Sequence, residues 1–428
     1  MHFVSKRLKK IGLLACSALL AGTLSSAYAG SQVSADLKLQ TFGGDAQLDA
    51  AKAAVIRFNE DYPNVKVEVS IDPISNGWGA FVTKVFSQFN AGNSYDVYHT
   101  AVETLHALAA RDLVISLDDK YKTLDEIEDF DPRLFELSKY KDKVYFIPST
   151  WNNIMVNYNR ALFDEAKIEY PKSDWNWQDF TAAAQALTKR DSDGNVIQFG
   201  YEVPGNFFIS MPWFFTNDTS IVNDDWTESN MLDPKVAETL QYLYNLIHKY
   251  KVSPVPTSSL MDNQFFAGQI GMISRGHWIV QNAISSKMDM DVVPPASNRV
   301  ATTVIGFGAY GISRDSEQKE LAWALIQELL SKESQIHETK LGGAIPGRKS
   351  IAKIDEFLSF PPSAELYYAT LPSTRAVPSP VNFQEIEKIY SRNFLAMMSG
   401  ELSIQEGVER THKEFNKSFS RAKRITGN

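Results

Sequence analysis

Leu37, Leu39 and Thr41 alternate with polar positions and predict a strand that ends at Phe42-Gly43-Gly44. Asp45 is placed to cap the helix that follows. Ala50, Ala53, Ala54, Ile56, Phe58 and Tyr62 are spaced along one buried face, until Pro63 and Asn64 break it. Val65, Val67, Val69 and Ile71 alternate as a second strand. A helix from about Trp78 to Asn90 comes next, with Gly92 past its end. The third strand is Asp96 to His99, and its helix runs from Val102 to Arg111. This β-α-β-α-β order calls for a parallel sheet covered by helices.

A β-branched and aromatic run from Lys143 to Ile147 stops at Pro148. Ser149, Thr150, Trp151, Asn152 and Asn153 follow, and then another apolar run. The pattern then restarts. Asn176 with Asp179 predicts a capping box for a helix to Lys189. Residues 191–195 read as a tight turn before a strand from Val196 to Val203. Asp233-Pro234 starts a long helix ending near Tyr250. Ile270 to Ser274 and Met290 to Val293 read as short strands. A Gly-rich extended run covers Ile305 to Ser313, and a helix runs from Gln318 to Leu330. Ser403 with Glu406 opens a final helix through a second capping box.

Composition changes the picture at the N-terminus first. Lys6, Arg7, Lys9 and Lys10 precede an apolar run from Ile11 to Leu24 and a small-x-small pattern at Ala27-Tyr28-Ala29. This is the layout of a secretory signal over residues 1–29, so the protein is expected in the periplasm. The sole cysteine, Cys16, lies inside that leader. Leu14-Ala15-Cys16 faintly resembles a lipoprotein cleavage box, which gives a membrane-anchored lipoprotein as the other expectation. After removal of a leader with four basic and no acidic side chains, the full-chain charge of −8 becomes −12 over 399 residues. Such an acidic chain without basic runs is a poor nucleic-acid binder. A chain this long exceeds a single core, so two lobes are the default.

Six stretches, in order, resemble the extracellular solute-binding protein family 1, the sugar-binding subunits of ABC importers. They are Phe58 to Val67, Asn93 to Val97, Tyr145 to Pro148 with Asn157-Tyr158-Asn159 and Leu162-Phe163, Gly268 to Met272, Gly276-His277-Trp278, and Gly342 to Arg348. The resemblance implies a type II periplasmic-binding-protein-like fold, with two α/β lobes around a hinged ligand cleft. The first lobe would hold residues 36–147 and 292–330, the second 148–291 and 331–428. The stretch after Pro148 would then carry the chain between lobes across the cleft floor.

Sugars offer apolar faces to aromatic rings and a rim of hydroxyls to polar side chains. Aromatic residues make up 12% of the chain, and Trp78, Trp151, Trp213 and Trp278 fall at loop or helix-start positions. The resemblance favours Trp151 and Trp278 for ligand stacking, with Asn152 and His277 beside them. Gly44 and Asp45 end the first strand and His99 and Glu103 the third, where open α/β sheets bind ligands. Gly306 to Gly311 with Tyr310 resembles the family's Gly-rich strand on the cleft wall, the other reading being a strand that only packs closely. Arg348 is a ligand candidate whose other reading, holding the Gly-rich turn, is favoured.

Three sharper readings compete. Tyr367-Tyr368 resembles the adjacent tyrosines of ferric-ion binding proteins, but reads more simply as one face of a helix. Asp191, Asp193, Asn195 and Glu202 match four positions of a calcium loop, with Val196 where the loop needs glycine, so a hairpin turn is preferred. Paired carboxylates such as Asp45 and Glu103 leave a secreted glycosidase open. Arg275, Arg348 and Arg375 keep an anionic ligand such as a glycerol phosphate open, and cleft carboxylates would suit a polyamine. The expectation is a non-enzymatic, cofactor-free, metal-free monomer. It would capture a mono- or oligosaccharide by lobe closure and deliver it to ABC permease transmembrane subunits driven by a separate ATPase subunit.

Overall fold

A computed structural model describes residues 33–74 and 77–426, so the leader and Cys16 lie outside the described residues. The chain begins with β1 (Ala35–Phe42), α1 (Asp45–Asp61), β2 (Val65–Asp72), α2 (Trp78–Asn90), β3 (Val97–Ala101) and α3 (Val102–Ala109). β1 pairs in parallel with both β2 and β3, as the β-α-β-α-β pattern requires. The helix detail differs from expectation. Gly44 is the N-cap of α1, its N–H donating to Gln47 Oε1 at 2.9 Å, and Asp45 is the first helical residue. The buried face of α1 is Ala51, Ala54 and Phe58, whereas Ile56 is 69% exposed. Alanine-rich spacing fits two faces of a helix, and the sheet selects one of them.

β4 (Ile147–Asn153) follows, then β5 (Met155–Asn159). β4 belongs to the first sheet, paired antiparallel with β9 (Thr303–Ile312), while β5 belongs to a second sheet. The chain therefore leaves the first sheet at Ile154, six residues later than the change at Pro148 suggests. A proline fits β4 because the strand register shifts at Gly308/Ala309 beside it. The second sheet holds β5, β6 (Val196–Tyr201), β7 (Ile270–Arg275), β8 (Met290–Val293) and a short edge strand, Lys189–Arg190. β8 pairs with β5, so the return crossing falls between Val293 and Thr303, not at residue 292.

The first sheet takes back more chain than the expected lobe limits allow. Helix 332–340 packs on α1, strand Ile345–Pro346 pairs with β4, and strand Thr374–Ala376 pairs with β9. Residues 332–346 and 374–376 thus lie with the first sheet rather than in a second lobe of 331–428. Short helices Asp355–Leu358 and Glu365–Ala369 lie between these strands, and the chain after residue 376 carries two long helices, Phe383–Ser399 and Ile404–Thr426. The first of these packs against α2 and α3 on one side and against helices 207–215 and 234–248 of the second lobe on the other. Both capping boxes form: Asn176 accepts from Gln178 and Asp179, and Ser403 exchanges bonds with Glu406.

Candidate functional site

Between the two sheets lies a cleft of about 1540 Å³. The carboxyl ends of β1 and β3 open onto it, as open α/β sheets dictate. Phe42, Gly43, Gly44 and Asp45 come from the first of these ends, and Trp78 from the start of α2. The second lobe supplies Phe207, Phe208, Trp278 and Gln281. Asn152 and Thr150 of β4 and Gly306 to Gly308 of β9 form the floor. The glycines are needed there. A Cβ on Gly306 would lie 3.0 Å from the Phe208 ring, and one on Gly308 would lie 2.9 Å from His99 Nε2.

Seven of the expected site residues line this cleft: Gly44, Asp45, Trp78, His99, Glu103, Asn152 and Trp278. The other five are held elsewhere. Trp151 is 1% exposed, because side chains alternate along β4. Thr150 and Asn152 face the cleft, so Trp151 faces the core and meets Tyr368 edge-on at 5.4 Å. It is not available to stack on a ligand. Trp213 lies in the second-lobe core, donating from Nε1 to the Tyr201 hydroxyl at 3.2 Å and packed on Phe180. The His277 ring is buried on Phe357 at 5.0 Å, and burial drives its pKa down to about 4. Tyr310 stacks beneath the floor on His99, at 4.1 Å between centroids.

Arg348 holds its turn. Nε donates to the Leu330 carbonyl at 2.9 Å and Nη2 to the Asp125 carbonyl at 3.1 Å, and the guanidinium lies over Phe130.

Within the cleft the polar groups divide by whether the protein already satisfies them. His99 is satisfied: Nδ1 is 2.9 Å from Thr41 Oγ1 and Nε2 is 2.9 Å from Ser149 Oγ. Burial lowers its pKa to about 3, so it stays neutral. Asn152 Oδ1 accepts the His277 backbone N–H at 2.9 Å, a bond that ties the first-sheet strand to the chain after β7. Glu103 is not satisfied. It is 2% exposed, and its Oε2 has no hydrogen-bond partner. Burial pushes its carboxyl up to about 8, with the charge of Glu387 adding to the rise. Glu387 and Glu338, also on the cleft wall, are each raised by burial to about 7. Neither was anticipated. Both sit mid-helix with no motif around them, and only the packing of those helices over the cleft exposes their role.

The competing motifs resolve onto structural work. Arg275 is fully buried and pairs with Glu202 at 2.5 Å and Asp262 at 2.7 Å. That pairing occupies the Glu202 carboxylate at the last position of the calcium-like loop. Asp191 instead accepts from the Asp193 and Asn195 backbones, which closes the hairpin turn. Tyr367 is buried, and its hydroxyl donates to Asn157 Oδ1 at 3.4 Å. Among the described residues no group of three or more His, Cys, Asp or Glu is arranged to hold a metal ion. Arg375 lies over Phe215. Lys388 is the one Lys or Arg among the described lining residues.

Two sheets joined by crossing strands, with a polar and aromatic cleft between them, define the two-lobe type II periplasmic-binding-protein-like fold. The chain belongs to the bacterial extracellular solute-binding protein family, whose profile matches residues 53–361. A Brucella abortus protein named only as a binding protein is 24% identical over 411 residues, covering 91% of this chain and 93% of its own. Solved structures share the fold. An ABC substrate-binding protein of Listeria monocytogenes in complex with cycloalternan superposes with a TM-score of 0.82 at 24% identity, over 91% of this chain and 100% of that one. A Thermotoga lettingae solute-binding protein bound to α-D-tagatose gives 0.78 at 21%, over 90% and 100%. A maltose-bound T. maritima protein gives 0.78 at 16%, over 90% and 100%.

Proposed function

We propose that the protein is the exported substrate-binding subunit of an ABC importer, and that it captures a carbohydrate by closing its two lobes. The observation that carries this is the cleft lining. Rings of Phe42, Trp78, Phe208 and Trp278 come from both lobes and alternate with amide and carboxyl groups. Flat apolar faces edged by hydrogen-bonding groups match sugar rings edged by hydroxyls. The cleft of about 1540 Å³ exceeds the ~300–1,000 Å³ typical of small-molecule pockets, which favours an oligosaccharide over a single ring. The fold neighbours that carry sugars in their structures support the same class.

Closure follows from geometry. A ligand touching both walls makes its full set of contacts only when the lobes approach, so it shifts the population to the closed form. The closed surface is what the permease transmembrane subunits would read, with ATP acting on a separate subunit. An anionic ligand is disfavoured, because Arg275, Arg348 and Arg375 are engaged away from the cleft. The protein would work in the periplasm as a monomer without catalysis.

A thermal-shift screen of the mature protein across oligosaccharides, polyamines and phosphate esters, followed by calorimetry, tests the reading. Stabilisation by a saccharide is expected, with no release of reducing ends on long incubation. Stabilisation by phosphate esters alone, or cleavage of the saccharide, overturns it.

A further inference from the structure

The carboxyl groups on the cleft wall ask for something that a neutral sugar supplies poorly. Glu103 is the second residue of α3, is 2% exposed, lines the cleft, and holds a buried oxygen, Oε2, without a hydrogen-bond partner. Glu387 reaches the same wall from helix 383–399, where its carboxylate accepts the Gly79 N–H at 2.8 Å. The sequence Gly77-Trp78-Gly79 makes room for it: a Cβ on Gly79 would lie 2.7 Å from Glu387 Oε2, and one on Gly77 3.2 Å away. The two carboxyls are close enough to oppose each other's charge.

No protein cation answers them. Arg111, just past the end of α3, donates to the Ala107 and Val381 carbonyls. Arg421 is bound to Glu385, and Lys388 is exposed. The other ionisable groups lining the cleft are the neutral His99 and the acidic Asp45, Glu338 and Glu385, the last of these held by Arg421.

We propose that the ligand of this cleft is a cationic saccharide, one that carries a protonated amine, and that Glu103 and Glu387 grip its ammonium group. This rests on the carbohydrate reading above and narrows it. A hydroxyl brings one donor and no charge, whereas an ammonium brings three donors and the missing positive charge. Burial raises both carboxyls toward neutrality, to about 8 and about 7, so at pH 6.5 they hold protons. An arriving cation displaces them. The rings of Phe42 and Trp78, 4.8 Å apart and edge to face, flank the same wall and favour a cation over a neutral group.

The test is calorimetry at pH 6.5 on the mature protein. The probes are mono-, di- and trimers of glucosamine and galactosamine, each beside its N-acetylated and its plain hydroxyl counterpart. Each titration is run in two buffers of different ionisation enthalpy, which counts protons. The expected result is that a free-amine member binds at least tenfold tighter than its acetylated and hydroxyl counterparts and releases about one proton. Glu103→Gln and Glu387→Gln should each erase that preference with the melting temperature retained or raised. A neutral member binding as tightly as its amine counterpart without proton release overturns the proposal and leaves the carbohydrate reading standing. Failure of every amine member overturns it too, and a neutral hit in the wider screen then separates this failure from failure of the carbohydrate reading.

Discussion

Replacing Trp278 with alanine separates a ligand contact from a structural one. The indole is half-buried, flanked by Phe208 at 6.4 Å, and follows Gly276, whose Cβ would lie 2.1 Å from the ring. One face is therefore packed and the other lines the cleft. A sugar face covering roughly 60 Å² of indole hides a similar area of its own. At about 25 cal/mol per Å² this gives an upper value of about 3 kcal/mol. Imperfect overlap brings the expected loss to about 1.5–3 kcal/mol, or roughly 10- to 150-fold in Kd. A fully buried Trp→Ala change costs about 3–5 kcal/mol of stability, so half-burial predicts about 2 kcal/mol, a drop of a few degrees in Tm. Calorimetry with the best saccharide of the screen reads the first quantity and differential scanning fluorimetry the second. A Tm drop with unchanged Kd refutes the stacking role and leaves Trp278 as packing alone.

Three other outcomes follow from the same geometry. Asn152→Ala removes the Asn152–His277 bond and should cost about 1 kcal/mol of stability in chemical denaturation; an unchanged midpoint refutes the tie. Arg275→Ala strands Glu202 in the second lobe and should cost about 3–5 kcal/mol of stability in chemical denaturation while ligand affinity of the folded protein holds; a loss below 1 kcal/mol refutes the burial argument. Glu103 has a folded pKa raised from 4.5 to about 8, so its contribution to stability is complete below about pH 4.5 and is lost as pH rises through 8. Glu103→Gln should therefore gain Tm over the parent between pH 5 and pH 8.5, and parallel Tm curves would contradict the burial of that carboxyl.

Much of the fold can be read along the chain because local rules and packing agree. Alternation located β1 and β2, Gly92 sits past the end of α2 at a φ of +69°, and Asp233-Pro234 opens helix 234–248. The site is legible only in part, for a physical reason. Tryptophans at loop and helix-start positions look alike whether they face a ligand or a core. Trp213 in fact sits inside helix 207–215 and Trp278 in the turn after β7, and the neighbours that the tertiary fold brings to each decide which faces the cleft. For Trp151 a signal was present: Thr150 and Asn152 flank it, and strand alternation sends a residue between two cleft-facing polar ones to the opposite side. Glu387 carried no signal. Its neighbours spell an ordinary amphipathic helix, and its role exists only because that helix crosses the start of α2.

Where the tie between Asn152 and His277 stands bears on how closure works. It lies two residues before the crossing at Ile154, at the pivot rather than at the rim of the cleft. A bond at the pivot moves little as the rims approach, so it keeps the lobes in register in both forms and favours neither strongly. The difference between open and closed is then left to the ligand. Swinging the ratio from 1:99 to 99:1 requires about 5.5 kcal/mol of differential binding. Two ring contacts of about 1.5–3 kcal/mol each, one from Trp78 on the first lobe and one from Trp278 on the second, give about 3–6 kcal/mol, so short of the strongest stacking the carboxyl contacts of Glu103 and Glu387 must supply the rest. A ligand that touches one lobe alone binds without closing, so selectivity for transport comes from spanning the cleft rather than from tight binding to either wall.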